Sequence, residues 1–162
     1  MSGWIIIKTN QRAISRKEFY TLNKNKIAAI IIQISMEDSS DKNKRNAIDF
    51  YRMAYEGNPR QAVDLFVGSE YIQHNPLVGD GKDSFIEYFE RMEREYPVKS
   101  IEFVRAVAEG NLVALHTHQV WPGDEEYVTM DFFRFDESGR IVEHWDAVQL
   151  IPENSANGHR MY

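Results

Sequence analysis

The chain contains no cysteine. A disulfide framework, a thiolate nucleophile and a cysteine-ligated metal are therefore excluded, and a reducing compartment suits it. Positive charge is also scarce: 19 Lys and Arg stand against 25 Asp and Glu, a net charge of −6. Without a basic surface there is no electrostatic footprint for nucleic acid or anionic lipid. Long hydrophobic runs are missing too. The longest, IAAIIIQI at 27–34, falls well short of the roughly 20 residues a spanning helix needs. It follows a basic segment (Arg12, Arg16, Lys17, Lys24, Lys26) as a signal peptide would, but Gln33 interrupts it and no clear small-residue cleavage site follows. The expectation is a cytoplasmic protein with neither nucleic acid nor membrane as a partner.

What is present is enough for a folded domain. The chain has 162 residues, 43% of them hydrophobic, which suits one domain with a real core and excludes disorder throughout. Residues 1–40 differ from the rest, being basic, rich in Asn, Lys and Ile, and weakly periodic. They are expected to form an extension, disordered or not native. MEDSSDKNKRN at 36–46 reads as a polar linker or, with Met36, as a natural start. The domain proper is expected over 41–162.

From residue 44 the patterns sharpen. Ala47, Ile48, Tyr51, Ala54 and Tyr55 recur at helical spacing until Gly57. Asn58-Pro59 has the form of an N-cap and first-turn proline, opening a short helix that buries Ala62, Val63 and Phe66. SEYIQHNP at 69–76 is extended, because a residue before proline avoids helix. Ser84 and Glu87 offer a capping box for a helix with an apolar stripe of Phe85, Ile86, Phe89 and Met92. After Pro97 the period changes to two. VKSIEFVRAVAE, NLVALHTHQVW, EYVTMDFFRF and RIVEHWDAVQL read as strands joined by Gly110-Asn111, PGDE and DESG, connections short enough to force antiparallel neighbours. Helices followed by a meander predict an α+β fold: a cone-shaped, curved antiparallel sheet with the helices on its concave face, enclosing a pocket.

RIVEHWD at 140–146 interleaves Glu143, His144 and Asp146 with large apolar groups. If DESG is a tight loop, Phe135 pairs with Arg140 and Asp131 falls opposite His144. If Val120 pairs with Tyr127, His116 falls opposite Asp131, and His118 opposite Thr129. His116, His118, Asp131, His144 and Asp146 then aim at one patch beside Phe133 and Phe135, a convergence that a one-residue slip on any strand would undo. A carboxylate beside two phenylalanines loses hydration, which favours its protonated form. Next to histidine it has the equipment to take a proton from a carbon beside a carbonyl and return it elsewhere. Asp131 is the first-choice base. His116 and His144 orient it or stabilise an enolate oxygen, and His118 and Asp146 are outer members. His74 is placed to close the mouth. A facial triad of His116, His118 and Asp131 on a metal is the minor alternative, and no metal or cofactor is expected. Met130, Phe132, Ile141 and Trp145 make the other face apolar, so it needs a cover, by the remaining chain or a partner subunit.

Y-I-Q-H-N-P, G-K-D-S-F, A-E-G-N-L-V-A-L-H-T-H, M-D-F-F-R-F-D-E-S-G-R-I-V-E-H-W-D-A-V-Q and the closing P-E-N-S-A-N together resemble the SnoaL-like, polyketide cyclase-like branch of the nuclear transport factor two-like superfamily. The resemblance covers roughly residues 44–162. It implies an α+β barrel with a deep pocket, usually dimerised through the sheet, and in the cyclases a pocket acid that works without metal or organic cofactor. Asp131 best matches that position, with His116, His144 and Asp146 as neighbours and His74 supplied by Q-H-N-P. The implied function is cyclisation or isomerisation of a carbonyl compound by a homodimer. A non-catalytic binding module for a small hydrophobic molecule and a structural dimerisation domain are the alternatives. Spacing alone names no tyrosine partner for the acid, and Arg134 falls on the face opposite Asp131.

Overall fold

The computed structural model describes residues 16–123 and 125–162; residues 1–15 of the expected extension, and Asp124 of the PGDE connection, lie outside them. The chain divides into two units between Asp38 and Ser39. In order, the elements are α1 (Arg16–Tyr55), α2 (Pro59–Phe66), β1 (Val67–Gln73), α3 (Gly81–Glu95), β2 (Ser100–Glu109), β3 (Leu112–Val120), β4 (Glu126–Phe135) and β5 (Ile141–Leu150). MEDSSDKNKRN, expected as a linker, is helical and lies inside α1. It holds no glycine or proline to stop a helix, and Lys44 Nζ meets Asp41 Oδ1 at 2.6 Å one turn away. In the first unit Ile27, Ile30, Ile31, Ile32 and Ile34 are exposed. No described helix is long and apolar enough to cross a membrane.

In the second unit, Ala47, Phe50, Tyr51 and Ala54 form a buried stripe at spacings of three and four. The stripe lies against β4, where Phe133 meets the Phe50 and Tyr51 rings edge-on at 6.0 and 5.0 Å. Gly57, at φ +83°, closes α1 in a conformation that costs other residues strain. Pro59 opens α2. The third helix begins at Gly81, ahead of the expected Ser84 start, with Asp80 at the N-cap position. The Asp80 carboxylate accepts the backbone N–H of Gln73 at 2.9 Å instead of capping its own helix, which ties β1 to the start of α3. Phe85, Ile86, Phe89 and Met92 are buried as their spacing predicts.

The sheet order is β1-β5-β4-β3-β2. It is curved, unclosed and mostly antiparallel, so the fold is α+β. β1 is the exception: it runs parallel to β5, with Gln73 beside His144. Register departs from expectation at two seams. Between β4 and β5, Asp131 faces Asp146 and Phe133 faces His144, and a bulge sets Ile141 opposite Phe135. This two-residue shift keeps Asp131, His144 and Asp146 on one face, while the bulge turns Ile141 into the core rather than outward. Between β3 and β4, Val120 pairs with Glu126 and Leu115 with Asp131. That one-residue slip carries His116 and His118 to the outer face.

Candidate functional site

The inner faces of β4 and β5 deliver two carboxylates and an imidazole to one spot. Asp131 and Asp146 are direct cross-strand partners. With His144 they offer donor atoms that all lie within 4.8 Å of one another, the set among the described residues best placed to hold a cation. The observed bonding is a proton network. Tyr51 Oη lies 2.8 Å from Asp131 Oδ1 and 2.8 Å from His144 Nε2. Thr129 donates its hydroxyl to Asp131 Oδ2, and His144 Nε2 is 3.3 Å from Asp131 Oδ1. Asp131 and His144 are 1% and 2% exposed, so these bonds replace water rather than compete with it. Burial, reinforced by the Asp131 charge, pushes the Tyr51 phenol well above its usual range; it therefore keeps its proton.

Asp146 has different surroundings. It is half-buried, and its Oδ2 accepts a bond from Asn75 Nδ2 at 2.6 Å. Desolvation raises its carboxyl above the usual 3.8, and the Asp131 charge acts the same way; Asn75 and His144 oppose them. Asn75 also turns the chain, its Oδ1 accepting the Leu77 N–H at 2.8 Å. Phe133 stacks on the His144 ring at 4.7 Å.

The cluster borders a cavity of about 50 Å³ whose walls include Tyr55, Tyr88, Phe89, Trp121, Val78 and Gln119. A wider surface groove of about 480 Å³ along α3, lined by Leu77, Ser84, Arg91 and Arg94 among others, lacks a comparable buried cluster. The inner cavity is therefore the candidate site.

Asp131, His144 and Asp146 are brought together as expected from alternation. Phe133 and Phe135 belong to the core, Phe133 acting as the platform under His144. His74 lies on the far side of β5, stacked on Trp145 at 4.9 Å with Nε2 2.9 Å from Glu143 Oε1. His116, on the outer face, receives a bond from Arg105 at 2.9 Å. His118 meets Glu126 at 2.7 Å and stacks on Tyr162 at 3.8 Å. The facial triad of His116, His118 and Asp131 is therefore not assembled, because the slip on β3 separates its members. Tyr51 and Gln73 are not among the site residues expected from the sequence, and Asn75 stands there only as part of an extended segment. The one available signal was Tyr51 itself, since a tyrosine in a buried stripe needs a partner for its hydroxyl.

The SnoaL-like domain family matches residues 47–144, and the chain belongs to that family. Among solved structures it is similar to TsrD from Streptomyces laurentii, at 19% identity and a TM-score of 0.57, over 66% of this chain and 88% of that one. A proposed polyketide cyclase from Bacillus cereus aligns at 15% identity and TM-score 0.60, over 67% and 74%. A proposed ketosteroid isomerase from Kribbella flavida aligns at 16% and 0.57, over 72% and 84%. At these identities the likeness is one of fold. No curated protein matches the chain significantly.

Proposed function

We propose that the protein binds a small, largely apolar carbonyl compound in the inner cavity and moves a proton on it without a cofactor, as a cyclase or isomerase would. The carrying observation is the Asp131–Asp146 pair. Two carboxylates directly opposed on a strand pair repel one another and weaken the sheet, yet here they face a cavity, with an imidazole nitrogen within 4.8 Å of both. Their environments differ, which divides their roles. Asp131 is anchored by Tyr51, Thr129 and His144 as the buried acid/base partner. Asp146 reaches the cavity, and desolvation holds its carboxyl above the usual 3.8. A proton taken from the carbon beside the carbonyl passes to this network and returns to another atom, so no oxidant or reductant is needed. The cavity as it stands holds only a few waters. A ligand therefore requires a wall of the cavity to move outward.

The aromatic walls favour a second reading, a binding module for a hydrophobic molecule that performs no chemistry. A thermal-shift screen of hydrophobic ketones, lactones and aromatic polyketide-like compounds, on wild type and Asp131→Asn, tests the proposal. A ligand for the native state raises the melting temperature. Binding by both proteins with turnover by wild type alone supports the enzyme. Binding without turnover leaves the module, and silence across the library removes both.

We also propose a homodimer. Val107, Leu112, Met130 and Phe132 are exposed together on the outer face, and a second copy would cover them. Light scattering that gives a monomer at high concentration would remove this reading. The lack of cysteine fits a cytoplasmic location.

A further inference from the structure

Gln73 sits at the end of β1, beside His144 across the parallel pairing. Its side-chain oxygen lies 2.9 Å from the backbone nitrogen of Asn75 and 2.9 Å from His144 Nδ1. A backbone N–H can only donate, so the Gln73 atom facing it is the oxygen, and that oxygen can only accept. The amide's other end points to the Tyr71 hydroxyl at 3.3 Å, consistent with the same orientation. It follows that His144 Nδ1 must carry a hydrogen, whatever the state of Nε2.

The other side of the ring then has a definite proton count. Tyr51 Oη is 2.8 Å from both His144 Nε2 and Asp131 Oδ1, and it owns one proton. That proton fills one contact, so the second must be filled by a proton on Asp131 or on Nε2. The two contacts thus hold two protons, the tyrosine's own and one carried by Asp131 or Nε2, with Tyr51 as the bridge.

We infer that Gln73 is a positioning residue, holding His144 with Nδ1 protonated so that Nε2 is the nitrogen that exchanges a proton with Tyr51 and Asp131. Its importance to turnover rests on the proton-transfer reading above; its effect on the ring does not. Water favours the opposite arrangement for a free neutral imidazole, with the hydrogen on Nε2. The protein therefore imposes the less favoured form, and Gln73, itself fixed by the Asn75 N–H, supplies the constraint.

Long-range proton–nitrogen correlation spectra of protein labelled with ¹⁵N-histidine read this directly, with the His144 signals assigned by their loss in His144→Gln. Wild type is expected to show a protonated Nδ1 across the pH range in which the protein is folded. Gln73→Met, which has no acceptor oxygen, is expected to move the neutral ring to the Nε2–H form, while Gln73→Glu, which keeps one, should preserve Nδ1–H. A bare Nδ1 in wild type overturns the inference, and that spectrum decides even if Gln73→Met does not fold. Retention of Nδ1–H in folded Gln73→Met overturns it equally. The measurement needs no substrate. A ring held as described in a protein that neither binds nor turns over a ketone would retire the proposed function and leave this inference in place.

Discussion

On the inner face of β4 and β5, Asp131 and His144 share the Tyr51 hydroxyl and are themselves almost fully buried. On the outer face of β3, His118 also meets carboxylates, Glu126 at 2.7 Å and Glu102 at 3.8 Å. Those carboxylates are 51% and 69% exposed, so solvent screens them and the pairs contribute little. The chemical groups, imidazole and carboxylate, are the same; the face differs, and with it the consequence of the bonds between them. Inside, each polar atom depends on its partner, because losing one leaves another stranded in a dry environment. Outside, water reaches the Glu126 and Glu102 carboxylates and replaces the bonds they lose.

Substitutions can break this contrast. The largest effect is expected from Asp131→Ala, which removes the common acceptor for Tyr51, Thr129 and His144. Breaking a buried network of this kind costs about 3–5 kcal/mol, a fall in melting temperature of roughly 10 °C for a chain of this size. Tyr51→Phe comes next. It keeps the ring packing and deletes the bridge, at about 1–3 kcal/mol by chemical denaturation.

Asp146→Asn sharpens the contrast by its sign. The carboxyl binds its proton more tightly in the folded protein than at its ordinary 3.8. Its contribution to stability is therefore fully present below that value and is lost as the pH rises through the folded-state pKa. The amide escapes this loss and still accepts the Asn75 bond. The variant should be more stable than wild type at neutral pH, by at most about 1 kcal/mol given the half-exposed position. The gain should vanish in acid, as melting curves across pH will show. Smallest of all, His118→Gln on the outer face should move stability by no more than about 0.5 kcal/mol.

How much of this was legible in the sequence follows from what sets each feature. The stripes of α1 and α3 and the period-two strands are local patterns, and the sequence displays them directly. The alternation of β4 and β5 was enough to group Asp131, His144 and Asp146, because a shift of two residues does not change faces. Register depends on turn geometry and bulges as well as on hydrophobic pattern, and alternation alone does not show them. The β3–β4 seam was therefore misjudged by one residue, and His116 and His118 went to the wrong side with it. His74 was expected at the mouth, but alternation past Gln73 turns it outward onto Trp145. Tyr51 looked like core because its spacing is that of core. Gln73 was invisible for a different reason: its contact with His144 comes from a parallel pairing of distant segments, which no local pattern announces.

The most direct measurement is deuterium incorporation from D₂O beside the carbonyl of a ketone that binds. Wild type, Asp131→Asn, His144→Gln and His118→Gln should be compared at equal ligand occupancy. The inner-face account predicts exchange by wild type and His118→Gln, and its loss by at least a hundredfold in Asp131→Asn and His144→Gln, the scale of a general acid–base contribution. Equal exchange in Asp131→Asn, or no exchange by wild type with the site occupied, would contradict it.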